Sequence, residues 1–197
     1  MLSPITTLYT YFPLEFFIRM TIDVLIMAFG VFLAIRMYKK GTFDKEQCAA
    51  CIILFIWSAF VLLLTVLGRR SHDDYTLNYN IELFSCYRRI FNDGDKSMLR
   101  SVIQNILMFI PIGFTLTVVF KNKHRVIFPL AVCFLLSLFI ETCQLFMKSG
   151  IFEFDDLFNN TLGGLLGIII SLIISAVYKK FQEKSRKEDI LATKSHR

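Results

Sequence analysis

The chain has 197 residues, of which 55% are hydrophobic and 21 are Phe, and its mean hydropathy is +0.56. A soluble core of this size cannot hide so much apolar surface from water, which excludes an ordinary globular domain and predicts an all-α integral membrane protein in a multi-pass arrangement. The net charge of +6 then bears on how Lys and Arg are distributed between spans, and no nucleic-acid partner is expected.

Five segments are long and apolar enough to cross about 30 Å of hydrocarbon as helices of about 20 residues. They are Phe16–Arg36, Cys48–Leu67, Ser101–Phe120, Val126–Met147 and Leu157–Tyr178. Residues 1–178 are therefore expected to form a single helical membrane domain, with a basic cytoplasmic tail over 179–197. Connections 36–47 and 121–125 together with the tail hold 14 Lys and Arg, against 8 on the opposite side. That bias predicts the N-terminus outside and the C-terminus inside. The first span has no basic leader and exceeds a signal-peptide core in length, so it is expected to be retained.

In the first span Glu15, Arg19 and Asp23 recur at i, i+4 and share one stripe. Asp23 would lie about 9 Å below the outer surface at 1.5 Å per residue. Either it pairs with Arg19 while Arg19 snorkels, or the stripe walls a polar site. Gly41 marks a turn that should fold the first two spans into a hairpin. The second span, which contains Trp57, is expected to serve packing. Cys48 and Cys51 have no second Cys or His pair to complete a metal site, and the five Cys suggest no disulfide framework. The connection 68–99 is long, but its aromatic run from Tyr75 through Ile90 argues for order. Tyr75, Tyr79, Phe84, Tyr87 and Phe91 suit a membrane interface. Asn92-Asp93-Gly94-Asp95 reads as a tight turn.

The third span carries Asn105 and Pro111. Proline cannot donate to the carbonyl of Leu107, so the helix should bend there and leave that carbonyl available. Asn105 either glues helices together or binds a ligand. In the fourth span Glu141 and Gln144 share a face, with Glu141 about 9 Å deep. An ionisable group at membrane depth marks a functional site by default. Glu141 is thus a candidate general acid or base, the alternative being a carboxyl held by Asn105 or Asn160 for structural reasons. One of Asp155 and Asp156 should cap the fifth helix, leaving the other to face the site. Asp156, Asn160 and Gly164 form one i+4 stripe, and Asn159, Gly163 and Gly167 another. The glycines are read as packing positions that let a neighbouring helix approach closely. The Lys-rich tail either rests on anionic lipid or is disordered.

With this topology the polar residues of non-adjacent spans gather near the outer face. The expected site comprises Glu141 and Asp156 in catalytic roles, with Asn105, Gln144, Asn160 and Asp23 binding. Glu141 would do acid–base work and Asp156 would orient a nucleophile or cation. No cofactor is specified.

Two stretches resemble motifs of the VanZ-like family of bacterial membrane proteins. One is Asn105-Ile-Leu-Met-Phe-Ile-Pro111-Ile-Gly113-Phe. The other is Glu141-Thr-Cys-Gln144, a short loop, then Asp156-Leu-Phe-Asn-Asn160-Thr-Leu-Gly163-Gly-Leu-Leu-Gly167. The resemblance covers about residues 48–178. It departs at Gly150, where an Arg is common in the family, and at Asn80-Ile-Glu-Leu-Phe84, where Asn-Leu-Ile-Pro-Phe is usual. The resemblance implies a cell-envelope role in susceptibility to teicoplanin and related glycopeptide antibiotics, without an established reaction. Membrane lipids are the expected surroundings, and an envelope lipid or lipoglycopeptide is the expected partner. The rival readings are a non-enzymatic protein that binds and shields a drug or envelope partner, a transporter, and a structural helper.

Overall fold

The computed structural model describes residues 14–67, 79–121, 124–147 and 150–195, with side chains from residue 16 to 187. Five of its helices are long and apolar enough to cross a membrane, as the five hydrophobic segments predict. Helix α1 (Leu14–Lys39) ends at Gly41, whose φ of +74° suits a helix-terminating turn. Asp44 then caps α2 (Lys45–Leu62): its carboxylate accepts from the Gln47 amide at 2.9 Å, while the Gln47 side chain accepts from the Asp44 amide at 3.2 Å. This gives the expected hairpin. Methyl-sized bulk at Gly30 would collide with the Phe55 ring, and the Cys48 thiol donates to the Ala34 carbonyl, so α1 lies close on α2. Its remaining faces expose Phe17, Ile18, Leu25, Ile26, Phe29 and Phe32, as a lipid-facing helix does. A π turn, Leu63–Leu67, extends α2.

Part of the long connection is ordered, as expected, although Tyr75 lies outside the described residues. Strand β1 (Tyr79–Asn80) pairs in parallel with β2 (Phe152–Glu153), Tyr79 opposite Phe152. Helix α3 (Ser85–Asp93) follows, ends at Gly94 in the left-handed conformation, and gives way at once to α4 (Lys96–Val119). Asp95 caps α4 by accepting from the Ser97 and Met98 amides, both at 3.0 Å. The turn predicted at Asn92–Asp95 is thus formed, but the helix begins five residues before the apolar segment that marked it.

Helix α5 (Ile127–Phe146) and helix α6 (Phe154–Ser195) complete the bundle. In lipid, apolar surface does not drive helices together, so close packing must. The α4–α6 contact is built on glycine. A Cβ at Gly163 would strike the Ile106 carbonyl, one at Gly167 the Ile110 carbonyl, and one at Gly113 the Gly164 carbonyl. The two i+4 stripes of α6 meet two neighbours: Asn159, Gly163 and Gly167 face α3 and α4, whereas Asn160 and Gly164 face Ser137 and Cys133 of α5. Around this seam Val61, Phe109, Ile112, Leu116, Cys133 and Ile140 form the buried apolar cluster.

Helix α6 has 42 residues and is unbroken at Tyr178. At 1.5 Å per residue it is about 63 Å long, roughly twice the hydrocarbon thickness, so residues 179–195 continue it as helix beyond any span. The disordered alternative for that stretch is therefore corrected. At the end of the bundle where α2 begins and α4 ends, Lys121 Nζ contacts Asp44 at 2.6 Å and Glu46 at 2.8 Å. These pairs are exposed and add little stability.

Candidate functional site

At the opposite end, where α5 ends and α6 begins, a cavity of about 1010 Å³ lies between α2 and α4. At its deep end Trp57 Nε1 donates to the Met108 carbonyl at 2.8 Å. Pro111 interrupts the backbone ladder one turn further on, and the indole bond falls beside that break. Trp57 is therefore more than packing, since it joins α2 to α4 at the cavity floor. Phe60 and Leu64 form the α2 wall, and Met98, Leu107 and Met108 form apolar parts of the α4 wall. From Met98 to Met108 the cavity runs about 15 Å along α4, half the hydrocarbon thickness.

Its polar lining comes from four quarters, α4 among them. Ser101, Gln104 and Asn105 project from α4, Thr65 from the π turn, Gln144 from α5, and Glu153 and Asp156 from the start of α6 and the strand before it. The Gln144 side chain donates to the Thr65 carbonyl at 3.2 Å. That bond fixes the amide and uses a carbonyl in the π turn. Gly150 lines the cavity as well.

Asn105, Gln144 and Asp156 thus lie together in one lining. Glu141 sits directly behind it, 1% exposed, and its carboxylate accepts from the Glu153 backbone amide at 3.1 Å. That bond ties it to strand β2. Asn160 is deeper still. Its side chain donates to Ser137 Oγ at 3.0 Å, and its Oδ1 is buried without a hydrogen-bond partner among the described residues. Asp23 is buried on α1 and is not among the lining residues.

The two adjacent aspartates do divide their labour, but the cap is made on another helix. Asp155 accepts from the Phe84 amide at 2.5 Å, the Cys86 amide at 2.8 Å and Ser85 Oγ at 3.1 Å. It therefore caps α3, whose own N-cap residue, Phe84, has φ +61° and offers no polar side chain. Tyr87 of α3 donates to Asn159 at 2.6 Å. Together with the β1–β2 pair, these bonds hold residues 79–93 against the start of α6.

Burial sets the chemistry of this region. It pushes the Cys86 thiol up to about 12, with the Asp155 carboxylate adding to the effect, and it raises the Tyr87 phenol as well. Glu153 is raised by burial first and by Asp155 second, with Arg89 opposing. Sequence reasoning passed over Glu153, Gln104 and Thr65. Glu153 lay in a short connection with no periodicity to orient it, and Gln104 neighbours Asn105 on the more exposed side of α4.

The family model described as VanZ/LLP1 matches residues 48–175. Protein VanZ of Enterococcus faecium is 33% identical over 98 residues, a match covering 48% of this chain and 60% of that protein. The match therefore spans less than two thirds of that relative's length. No solved structure matches the chain.

Proposed function

The chain belongs to the VanZ/LLP1 family, and from that premise we propose that this multi-pass bacterial membrane protein seats an amphiphile of the cell envelope in the cavity between α2 and α4, and thereby lowers susceptibility to teicoplanin-type glycopeptides. The observation that carries this reading is the divided lining. Its deep end is lined by Trp57, Phe60, Leu107 and Met108, while the amides, hydroxyls and carboxylates lie nearer the start of α4, interspersed with Leu64, Met98 and Ile151. A site of this kind suits a ligand with an apolar chain and a polar head.

In this reading the N-terminus is outside, so the polar end of the cavity opens at the outer leaflet. Asn105 and Gln144 hydrogen-bond the head group, Asp156 orients it, and Asn160 braces α6 against α5 from behind. Glu141 is the group that holds or moves a proton. The amphiphile is an envelope lipid or a lipoglycopeptide.

Substitution of Glu141 by Gln tests the acid–base role. Glutamine keeps an oxygen to accept from the Glu153 amide, so the wall stays in place while proton transfer is lost. The expected result is loss of protection against teicoplanin at unchanged protein level. Full protection in that variant would remove the acid–base role. Full protection in Asn105→Leu and Gln144→Leu would remove the cavity from the function altogether.

A further inference from the structure

The cavity is closed at its deep end and open to the side. Among the described residues, two side-chain bonds join α2 to α4. Gln47 Nε2 donates to the Val119 carbonyl at 2.8 Å where α4 ends, and Trp57 Nε1 donates to the Met108 carbonyl at 2.8 Å near the middle of both helices. The cavity occupies the stretch beyond Trp57, toward the end where α5 stops and α6 starts. Phe60 and Leu64 on the α2 side and Leu107 on α4 line it and are exposed as well. On a membrane bundle such side chains face lipid, so the cavity opens sideways between the two helices into one leaflet. From Ser101 inward along α4, its lining passes from Ser101, Gln104 and Asn105 to Leu107 and Met108. A leaflet passes from head group to chain in the same order.

We propose that a lipid of that leaflet enters the cleft sideways, its head group among the amides and hydroxyls and one chain running down between α2 and α4, and that the Trp57–Met108 contact stops the chain and so sets the length the site accepts. This rests on the cavity being an amphiphile site, and it commits the occupant to a membrane-resident lipid. The physical argument is packing. A space of about 1010 Å³ with an apolar deep end holds water poorly there, and if empty it would deprive its lining of dispersion contacts. A chain from the adjoining leaflet fills that end and reaches it without crossing water. The length limit follows from the helix: Met98 to Met108 is about 15 Å along α4, half the hydrocarbon thickness. A chain held from head-group level therefore ends where the indole meets α4. Met108 makes that bond through its backbone carbonyl, so its side chain can be shortened with the bond kept.

Trp57 is the chain's only Trp and lies at the stop. The purified full-length protein is placed in bilayers in which some of the lipid carries one chain brominated at its end, in a series of chain lengths with one head group. Quenching of Trp57 is followed as the brominated share rises. A single transmembrane helix with one Trp at the same depth reports general lipid contact in the same bilayers. For the best-fitting chain, Trp57 should reach half-maximal quenching at a mole fraction at least about tenfold below the helix standard, and longer chains should lose that advantage. Met108→Ala should move the optimum to a longer chain, and bromine beside the head group should give no advantage. An advantage that is independent of chain length, or that follows the head-side bromine, would overturn the proposal while leaving the amphiphile site standing. Quenching equal to the helix standard for every lipid would overturn the lipid occupant. The amphiphile site would then stand only if teicoplanin bearing a brominated acyl chain, added from water, quenched Trp57 saturably, and would fall if it did not.

Discussion

Asp155 shows how one side chain can organise a region distant in sequence. Its carboxylate accepts three hydrogen bonds from residues 84 to 86, at the start of a helix that has no cap of its own. A charged acceptor near a helix N-terminus also meets the positive end of the macrodipole. Hydrogen bonds to charged groups contribute about 1.5–3 kcal/mol each when broken singly. Asp155→Ala should therefore lower the thermal stability of the detergent-solubilised protein by at least about that amount. Asp156→Ala, which removes a lining carboxylate, should cost less, and equal losses in the two variants would count against the cap. The sequence pointed to a cap at this dipeptide, because an Asp before a helix ordinarily caps that helix. It could not identify the helix, because Phe84 and Asp155 are 71 residues apart and only folding brings them together.

Cys86 lies beside the same carboxylate, 2% exposed, with its thiol pushed up to about 12. The reactive species is the thiolate. Deprotonation that begins only as the pH approaches 12 leaves the thiol inert through the neutral range. Native protein should resist maleimide at pH 7 to 8, and denatured protein should label. Fast labelling of the native form would contradict this burial.

At the scale of elements, the α4–α6 seam dictates the positions of both helices. Gly163 and Gly167 place α6 against the backbone carbonyls of Ile106 and Ile110, where backbone cannot yield as a flexible side chain can. Overpacking costs about 1–3 kcal/mol in cores that can adjust. Gly163→Leu should exceed that range and abolish recovery of monodisperse protein, whereas Leu166→Ala on the exposed side of α6 should be tolerated. Wild-type recovery of Gly163→Leu would show that the seam is not tight. This contact was legible in advance, since small residues four apart on an apolar helix serve chiefly close approach. Helix α3 was less legible. The aromatic run announced order, but the capping group that makes a short helix there comes from α6.

For the whole molecule, the charge asymmetry between connections favours the α1 N-terminus and α3 outside, with the end of α6 inside. Since Cys86 is buried, the topology is best probed with introduced cysteines. Phe91 and Phe181 are 81% and 73% exposed, one on α3 and the other on the extension of α6. In intact cells an impermeant thiol reagent should label Phe91→Cys and should reach Phe181→Cys only after permeabilisation. The opposite pattern would invert the orientation and put the polar end of the cavity at the inner leaflet.

The sequence by itself determined the number and approximate limits of the spanning helices, because hydrocarbon demands about 20 apolar residues per crossing and every backbone group must bond within its own segment. It also determined which polar residues share a depth, since depth follows from position along a helix at a fixed rise. Only the tertiary structure decided which of them meet. Asn105, Gln144 and Asp156 reached one cavity with the unforeseen Glu153, Glu141 and Asn160 came to rest behind it, Asp155 went to α3, and Asp23 stayed on the α1 face. The physical reason is that the rotation of a helix about its axis is set by what it packs against. Here glycines pressed on neighbouring backbone fix that angle, which hydropathy alone does not encode.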